Sequence, residues 1–131
     1  MPLIHDRNNP EMRSQCPISA ILDRLGDKWT LLIIRDMMFF EKKRFGDFTD
    51  SAESIPSNIL PNRLKAMQET GLIEARPYQD NPPRYEYYLT TAGQALRPVL
   101  FEMIMWGATH VPGTFKPTFE QIEMMKNAIK K

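Results

Sequence analysis

Apolar residues recur every three or four positions through most of the chain, and the gaps between these stretches mark its turns. Ile18, Ile21, Leu22 and Leu25 keep helical spacing, Pro17 suits a first helical position and Gly26 ends the segment, which predicts a first helix. Asp27 is a good N-cap for a second helix that carries Trp29, Leu32, Ile33 and Met37 inward and runs to about Met38. Phe45, Phe48 and Ala52 mark a third, small helix ending near Glu53. A fourth follows Ile55-Pro56-Ser57, places Leu60, Leu64 and Met67 on one side, and stops at Gly71, where a left-handed residue is expected and Leu72 can pack back over the end.

The period then changes from helical to alternating. Ile73, Ala75 and Pro77 alternate with Glu74, Arg76 and Tyr78, Asp80-Asn81-Pro82-Pro83 makes a loop, and Arg84 to Leu89 is rich in aromatics, which predicts a hairpin. Thr90 or Thr91 caps a long helix with Leu96, Val99, Leu100, Met103, Ile104 and Trp106, and Pro98 inside it is expected to kink it or remove a backbone bond. After a Pro112-Gly113 turn, Thr118 caps a last amphipathic helix with Phe119, Ile122, Met125 and Ile129 inward. The polar, aperiodic Pro2 to Gln15 reads as an arm before the domain. The fold class is therefore mainly α with a small β-hairpin (α+β).

Composition narrows the function by exclusion. At 131 residues the chain supports one domain with a core of its own. Its 42% hydrophobic and 25% charged residues are those of a globular protein. Apolar runs are broken by Arg35 and Asp36, well short of the ~18 residues a membrane span needs, and no secretory signal follows Met1, so a cytoplasmic, membrane-free protein is expected. Cys16 is the single cysteine, and His5 and His110 are far apart in sequence, so neither a disulfide nor a structural metal is expected. No nucleophile elbow, phosphate-binding glycine loop or ligand cluster is assembled, so neither catalysis nor a cofactor is expected. A net charge of +1 gives no global electrostatic signature, and any polyanionic partner must be met locally.

Three helices, a turn, a fourth polar-faced helix and a hairpin form the element order of a winged helix-turn-helix. The chain resembles the HxlR family of bacterial transcription regulators, which is related to MarR-like regulators. The matching stretches are Cys16-Pro17, Gly26-Asp27-Lys28-Trp29-Thr30-Leu31-Leu32-Ile33, Arg44-Phe45, Ile59-Leu60 with Asn62-Arg63-Leu64-Lys65, Gly71-Leu72-Ile73, Pro82-Pro83-Arg84-Tyr85-Glu86-Tyr87 with Leu89-Thr90, and Trp106-Gly107. The ordered set, rather than any single piece, is specific. The resemblance implies a homodimer that binds palindromic or pseudo-palindromic operator DNA, with the terminal helices forming the dimer. It also divides the chain into an arm (1–15), a winged helix-turn-helix domain (16–110) and a C-terminal helical extension (111–131). Pro61 departs from the usual pattern; it would clash with the carbonyl of Ser57, so the regular fourth helix is expected to begin near Leu60 after a turn.

The candidate contacts follow from side-chain chemistry. Opposite the apolar side of the fourth helix lie Asn58, Pro61, Asn62 and Lys65. Asn58 and Asn62 can bond adenine bidentately, Arg63 guanine, and Lys65 and Ser57 phosphate. Arg84, stiffened by two prolines at the hairpin tip, suits a backbone or minor-groove contact, and Lys43 and Arg44 precede the small helix where phosphate would pass. For an arbitrary polar stripe a merely solvated face is commoner, and the family resemblance reverses that preference. Seven basic residues face eight acids between Glu41 and Glu86, so placement must outweigh net charge, and a protein-binding winged helix is the alternative. Leu100, Ile104 and Trp106 supply apolar surface beyond one small domain's needs and are assigned to a dimer interface. Cys16, before Pro17 at a helix start and near Arg13, reads either as a redox-active thiol or as an inert one, with an oxidant or small effector as the controlling signal.

Overall fold

In a computed structural model, residues 12–129 are described, with side chains through Asn127. The N-terminal part of the arm and the inward placement of Ile129 lie outside the described residues. The chain gathers into two compact units, one ending at Gln94 and the other beginning at Ala95. This boundary differs from both of those drawn from the sequence, at 15/16 and 110/111.

The first unit contains α1 (Pro17–Leu25), α2 (Thr30–Phe39), α3 (Phe45–Thr49), α4 (Leu60–Glu69), β1 (Ile73–Gln79), β2 (Arg84–Leu89) and α5 (Thr91–Gln94). Its core is Leu25, Ile33, Ile34, Met37, Met38, Phe48, Ile55, Leu60, Leu64, Met67, Leu72 and Ile73. Asp27 caps α2 as predicted, but from one turn upstream: Oδ2 accepts the amides of Trp29 and Thr30 at 3.0 Å each. The helix thus starts at Thr30, and its inner side is rotated from the predicted one. Trp29 and Leu32 are only half-buried, while Thr30, Ile34 and Met38 join Ile33 and Met37 inside. The third helix is shorter than predicted, ending at Thr49 instead of near Glu53. Phe48 alone of its three apolar positions is buried, with Phe45 and Ala52 exposed.

The end of α4 obeys the sequence closely. Gly71 has φ 83, its amide bonds to the Gln68 carbonyl at 3.1 Å, and the Leu72 amide reaches the Met67 carbonyl at 2.9 Å. This is the Schellman arrangement, and it buries Leu72. The hairpin is antiparallel, pairing Ile73 with Leu89, Ala75 with Tyr87 and Pro77 with Tyr85. It is joined back to the helices by the Thr90 amide on the Leu72 carbonyl (3.0 Å) and by α2 packing on β2 and α4 on β1.

The predicted long helix is two. Thr90 caps α5, its Oγ1 accepting the Gly93 amide at 3.2 Å, and after Ala95-Leu96 the chain restarts as α6 (Arg97–His110). Pro98 is the second residue of α6, where its missing N–H breaks no bond, so the helix is interrupted rather than kinked. In this second unit α6 packs with α7 (Phe119–Ile129), whose predicted cap is present: Thr118 Oγ1 accepts the Gln121 amide and Gln121 Oε1 the Thr118 amide. Phe119, expected inward, is 77% exposed. Together these elements make a winged helix-turn-helix, mainly α with one small hairpin.

Candidate nucleic-acid interface

The predicted recognition helix is built as a two-sided element. Ser57 to Ile59 form a turn and α4 starts at Leu60, so Pro61 falls at its second position and the expected clash is avoided. Leu60, Leu64 and Met67 are almost completely buried, at 0%, 2% and 1% exposure. That fixes the helix about its axis and leaves Ser57, Asn58, Pro61, Asn62 and Lys65 exposed on the other side. This arrangement offers amides, a hydroxyl and an ammonium to one partner surface.

Arg63 is placed differently. It is half-buried, and its Nη1 lies 3.4 Å from Asp27 Oδ1, so it ties α4 to the start of α2. The Asp27 carboxylate is a junction, with Oδ1 also accepting the Thr30 hydroxyl at 2.5 Å. Burial raises its pKa, but the Thr30 hydroxyl, the Trp29 and Thr30 amides and Arg63 together outweigh burial and leave it lowered. A guanine contact from Arg63 would require giving up this pair.

Lys43 and Arg44 run alongside the hairpin. The Lys43 carbonyl accepts the Tyr87 amide at 2.8 Å, and its ammonium lies 5.9 Å from the Tyr88 ring. Arg44 donates Nε to Glu86 Oε2 at 3.1 Å, and its Cζ lies over the Tyr78 ring, 4.0 Å from the centroid. Glu86 also accepts the Tyr88 hydroxyl at 2.9 Å; that hydrogen bond first, against desolvation and together with Arg44 and Lys43, lowers its pKa. Arg84 is exposed at the tip and shares with Arg44 a cleft of about 440 Å³ walled by Phe45, Tyr78, Tyr85 and Tyr87. The structure thus brings Arg44 and Arg84 to one cleft and Asn58, Pro61, Asn62 and Lys65 to one face. Sequence reading missed the aromatic seats. Their signal was the alternation Arg76, Tyr78 and Glu86, Tyr88 on one side of the hairpin; Arg76 stacks on Tyr88 at 4.1 Å.

The remaining candidates lie elsewhere. Cys16 is exposed and precedes α1, its carbonyl accepting the Ala20 amide. Arg13, expected to favour the thiolate, has its Nε bound to Asp23 Oδ1 at 2.5 Å. Leu100 is 6% exposed, so it belongs to the interior of the chain rather than to a free dimer surface. Ile104 is half-buried, and Trp106 is 63% exposed with its ring 4.7 Å from that of His110. Val99 and Met103 are exposed beside Trp106, and with Pro98 and Glu102 they line an apolar groove of about 700 Å³. On α1, Ile18, Ile21 and Leu22 are exposed as well. Among the described residues no cluster of potential ligands could hold a metal, and no helix is long and apolar enough to cross a membrane.

Comparison with known proteins places this geometry. Residues 24–114 match the model of the family described as HxlR-like helix-turn-helix. Over 95 residues the chain is 37% identical to an uncharacterized HTH-type transcriptional regulator of Mycobacterium tuberculosis, Rv3095, covering 72% of this chain but only 59% of that relative's length. The structure is similar to that of the protein PA1607, with 35% identity and a TM-score of 0.70 over 82% of this chain and 75% of the other. It is also similar to the redox regulator HypR in its oxidized form, with 31% identity and a TM-score of 0.63 over 72% and 97% of the two chains.

Proposed function

Because this chain belongs to the HxlR-like helix-turn-helix family, and its relatives are transcriptional regulators, we propose that it binds operator DNA in the cytoplasm as a homodimer. The observation that carries the reading is the two-sided α4. A helix locked by three buried side chains presents Pro61, Asn62 and Lys65 outward, with Ser57 and Asn58 exposed at the turn before it. Asn58 and Asn62 read base edges in the major groove, Lys65 and Ser57 hold phosphate, and Lys43, Arg44 and Arg84 take the flanking backbone. The Arg44 guanidinium, with its side chain 52% exposed, can turn from Glu86 to a phosphate.

Dimerisation uses the exposed apolar rows of α1 (Ile18, Ile21, Leu22) and α6 (Val99, Met103, Trp106), with Ile104 at the edge of the second. A palindromic or pseudo-palindromic operator with half-sites about 34–36 Å apart, or a multiple of that, then matches the two recognition helices. Control is assigned to Cys16. It is an exposed thiol immediately before α1, the helix that carries one of the two apolar rows, and HypR, a structural relative, is a redox regulator. A disulfide between the two Cys16 residues would release two protons and two electrons to an oxidant such as diamide.

The deciding experiment is salt-dependent binding to the promoter region of the chain's own gene, read by gel shift and footprinting. Phosphate contacts make affinity fall steeply with salt. A flat salt response with no protected sequence would refute DNA binding and favour a protein-binding module instead. Diamide treatment is expected to change operator binding by wild type and not by Cys16→Ser; equal responses would make Cys16 structural and leave control to a small effector.

A further inference from the structure

The charged residues at the end of α2 take no part in the outward stripe, yet they join the two loops that bracket α3. Arg35 donates Nη1 and Nη2 to the two carboxylate oxygens of Glu53 at 2.8 and 2.7 Å. Its Nε and Nη2 also donate to Asp36 Oδ1 at 2.9 and 2.8 Å. Asp36 is 3% exposed, its Oδ2 lies 3.9 Å from Lys42 Nζ, and its carbonyl accepts the amides of Phe40 and Lys42. The hydrogen bonds from Arg35 hold the Glu53 carboxyl below its ordinary range, against the opposing effect of desolvation.

Each of the two loops contains a non-glycine residue in the left-handed region, Glu41 and Ser54, both with φ 54. L side chains resist this conformation, so it persists where neighbouring groups hold it. The first loop leads directly into Lys43 and Arg44. The second leads through buried Ile55 into Ser57 and Asn58.

We propose that Arg35 is a positioning residue for DNA binding: through Asp36 and Glu53 it straps the loop carrying Lys43 and Arg44 to the loop that enters α4. The inference rests on the DNA-binding reading above. Contacts on both sides of α3 reach one duplex only if the two loops keep a fixed separation, and a strap formed before binding spares the complex the cost of ordering them.

The sign of one substitution separates this role from simple electrostatics. Glu53 is an acid in a module that meets a polyanion, so on charge alone its removal strengthens binding. As a strap it has the opposite effect. The test measures operator binding by fluorescence anisotropy for wild type, Glu53→Gln, Glu53→Ala, and Asp50→Asn, which removes the same charge from an exposed position at the end of α3. Asp50→Asn is expected to bind as tightly as wild type or more tightly. Glu53→Ala is expected to bind about three- to tenfold more weakly, with Glu53→Gln between because its amide oxygen still accepts one bond.

A second readout concerns salt. Arg35 and Glu53 touch no phosphate in this reading, so the slope of log affinity against log salt is unchanged in the Glu53 variants, whereas Lys43→Ala lowers it by about 0.9. Urea midpoints, with Glu53 at an exposed position, confirm that each variant is folded at the assay temperature. Glu53 variants that bind as tightly as wild type, or more tightly, overturn the strap and leave the DNA-binding reading standing. Absence of any specific binding by wild type overturns both.

Discussion

Asp27 is expected to contribute more to stability than its position in a turn implies, and Asp27→Ala measures how much. Loss of the cap on the Trp29 and Thr30 amides costs ~1 kcal/mol. The Thr30 hydroxyl, 2% exposed as a residue, loses its acceptor, which costs a further ~1–3 kcal/mol. The Arg63 pair, with side chains 30% and 27% exposed, adds ~0–1 kcal/mol. These terms share one carboxylate and overlap, so the expected total is ~2–4 kcal/mol. That is a drop in Tm of roughly 6–16 °C for a domain of this size. Asp27→Asn retains an acceptor for the cap and is expected to lose about half as much. The pH dependence has a definite sign. The folded carboxyl titrates below its ordinary value near 3.8, so its contribution is complete above that value and is lost as pH falls through the folded value. Urea unfolding at pH 7, at pH 5 and below pH 4 is the assay, with the slope of free energy against urea held as a check on two-state behaviour. The difference between wild type and Asp27→Ala is expected to be the same at pH 7 and 5 and smaller below 4. A difference under about 0.5 kcal/mol at pH 7, or one that grows on acidification, refutes the assigned network.

Asn62→Ala, at an exposed position of α4, is expected to weaken operator binding by ~1–3 kcal/mol while leaving the urea midpoint unchanged; equal affinity at matched salt removes Asn62 from the interface. Gly93→Ala places a Cβ 2.3 Å from the Leu72 carbonyl oxygen and 3.0 Å from Leu89 Cδ2, so α5 or the hairpin must shift at a cost of ~1–3 kcal/mol, measured by thermal unfolding. Trp106→Ala is expected to raise the dimer dissociation constant by ~2 kcal/mol, about 30-fold, in analytical ultracentrifugation; a wild-type chain that sediments as a 15.3 kDa monomer at micromolar concentration refutes the dimer itself.

What the sequence determined was whatever depends on a few adjacent residues. The Leu60, Leu64, Met67 spacing, the left-handed Gly71, the alternation through the hairpin and the caps at Asp27, Thr90 and Thr118 all follow from local geometry, and all are found. The outward face of α4 was legible for the same reason, since fixing its apolar side fixes the polar one. Local rules erred where two were close in competition. Pro98 could kink a helix or begin one, and α6 begins there because the second position has no bond to lose. Only the tertiary structure decided the partners of the charged residues. Arg63, Arg13, Arg35 and Arg44 find Asp27, Asp23, Glu53 and Glu86 at sequence separations of 36, 10, 18 and 42. Periodicity tells whether a side chain points inward or outward; a guanidinium reaches across several ångströms, and the carboxylate it meets is set by how whole helices and the hairpin are packed.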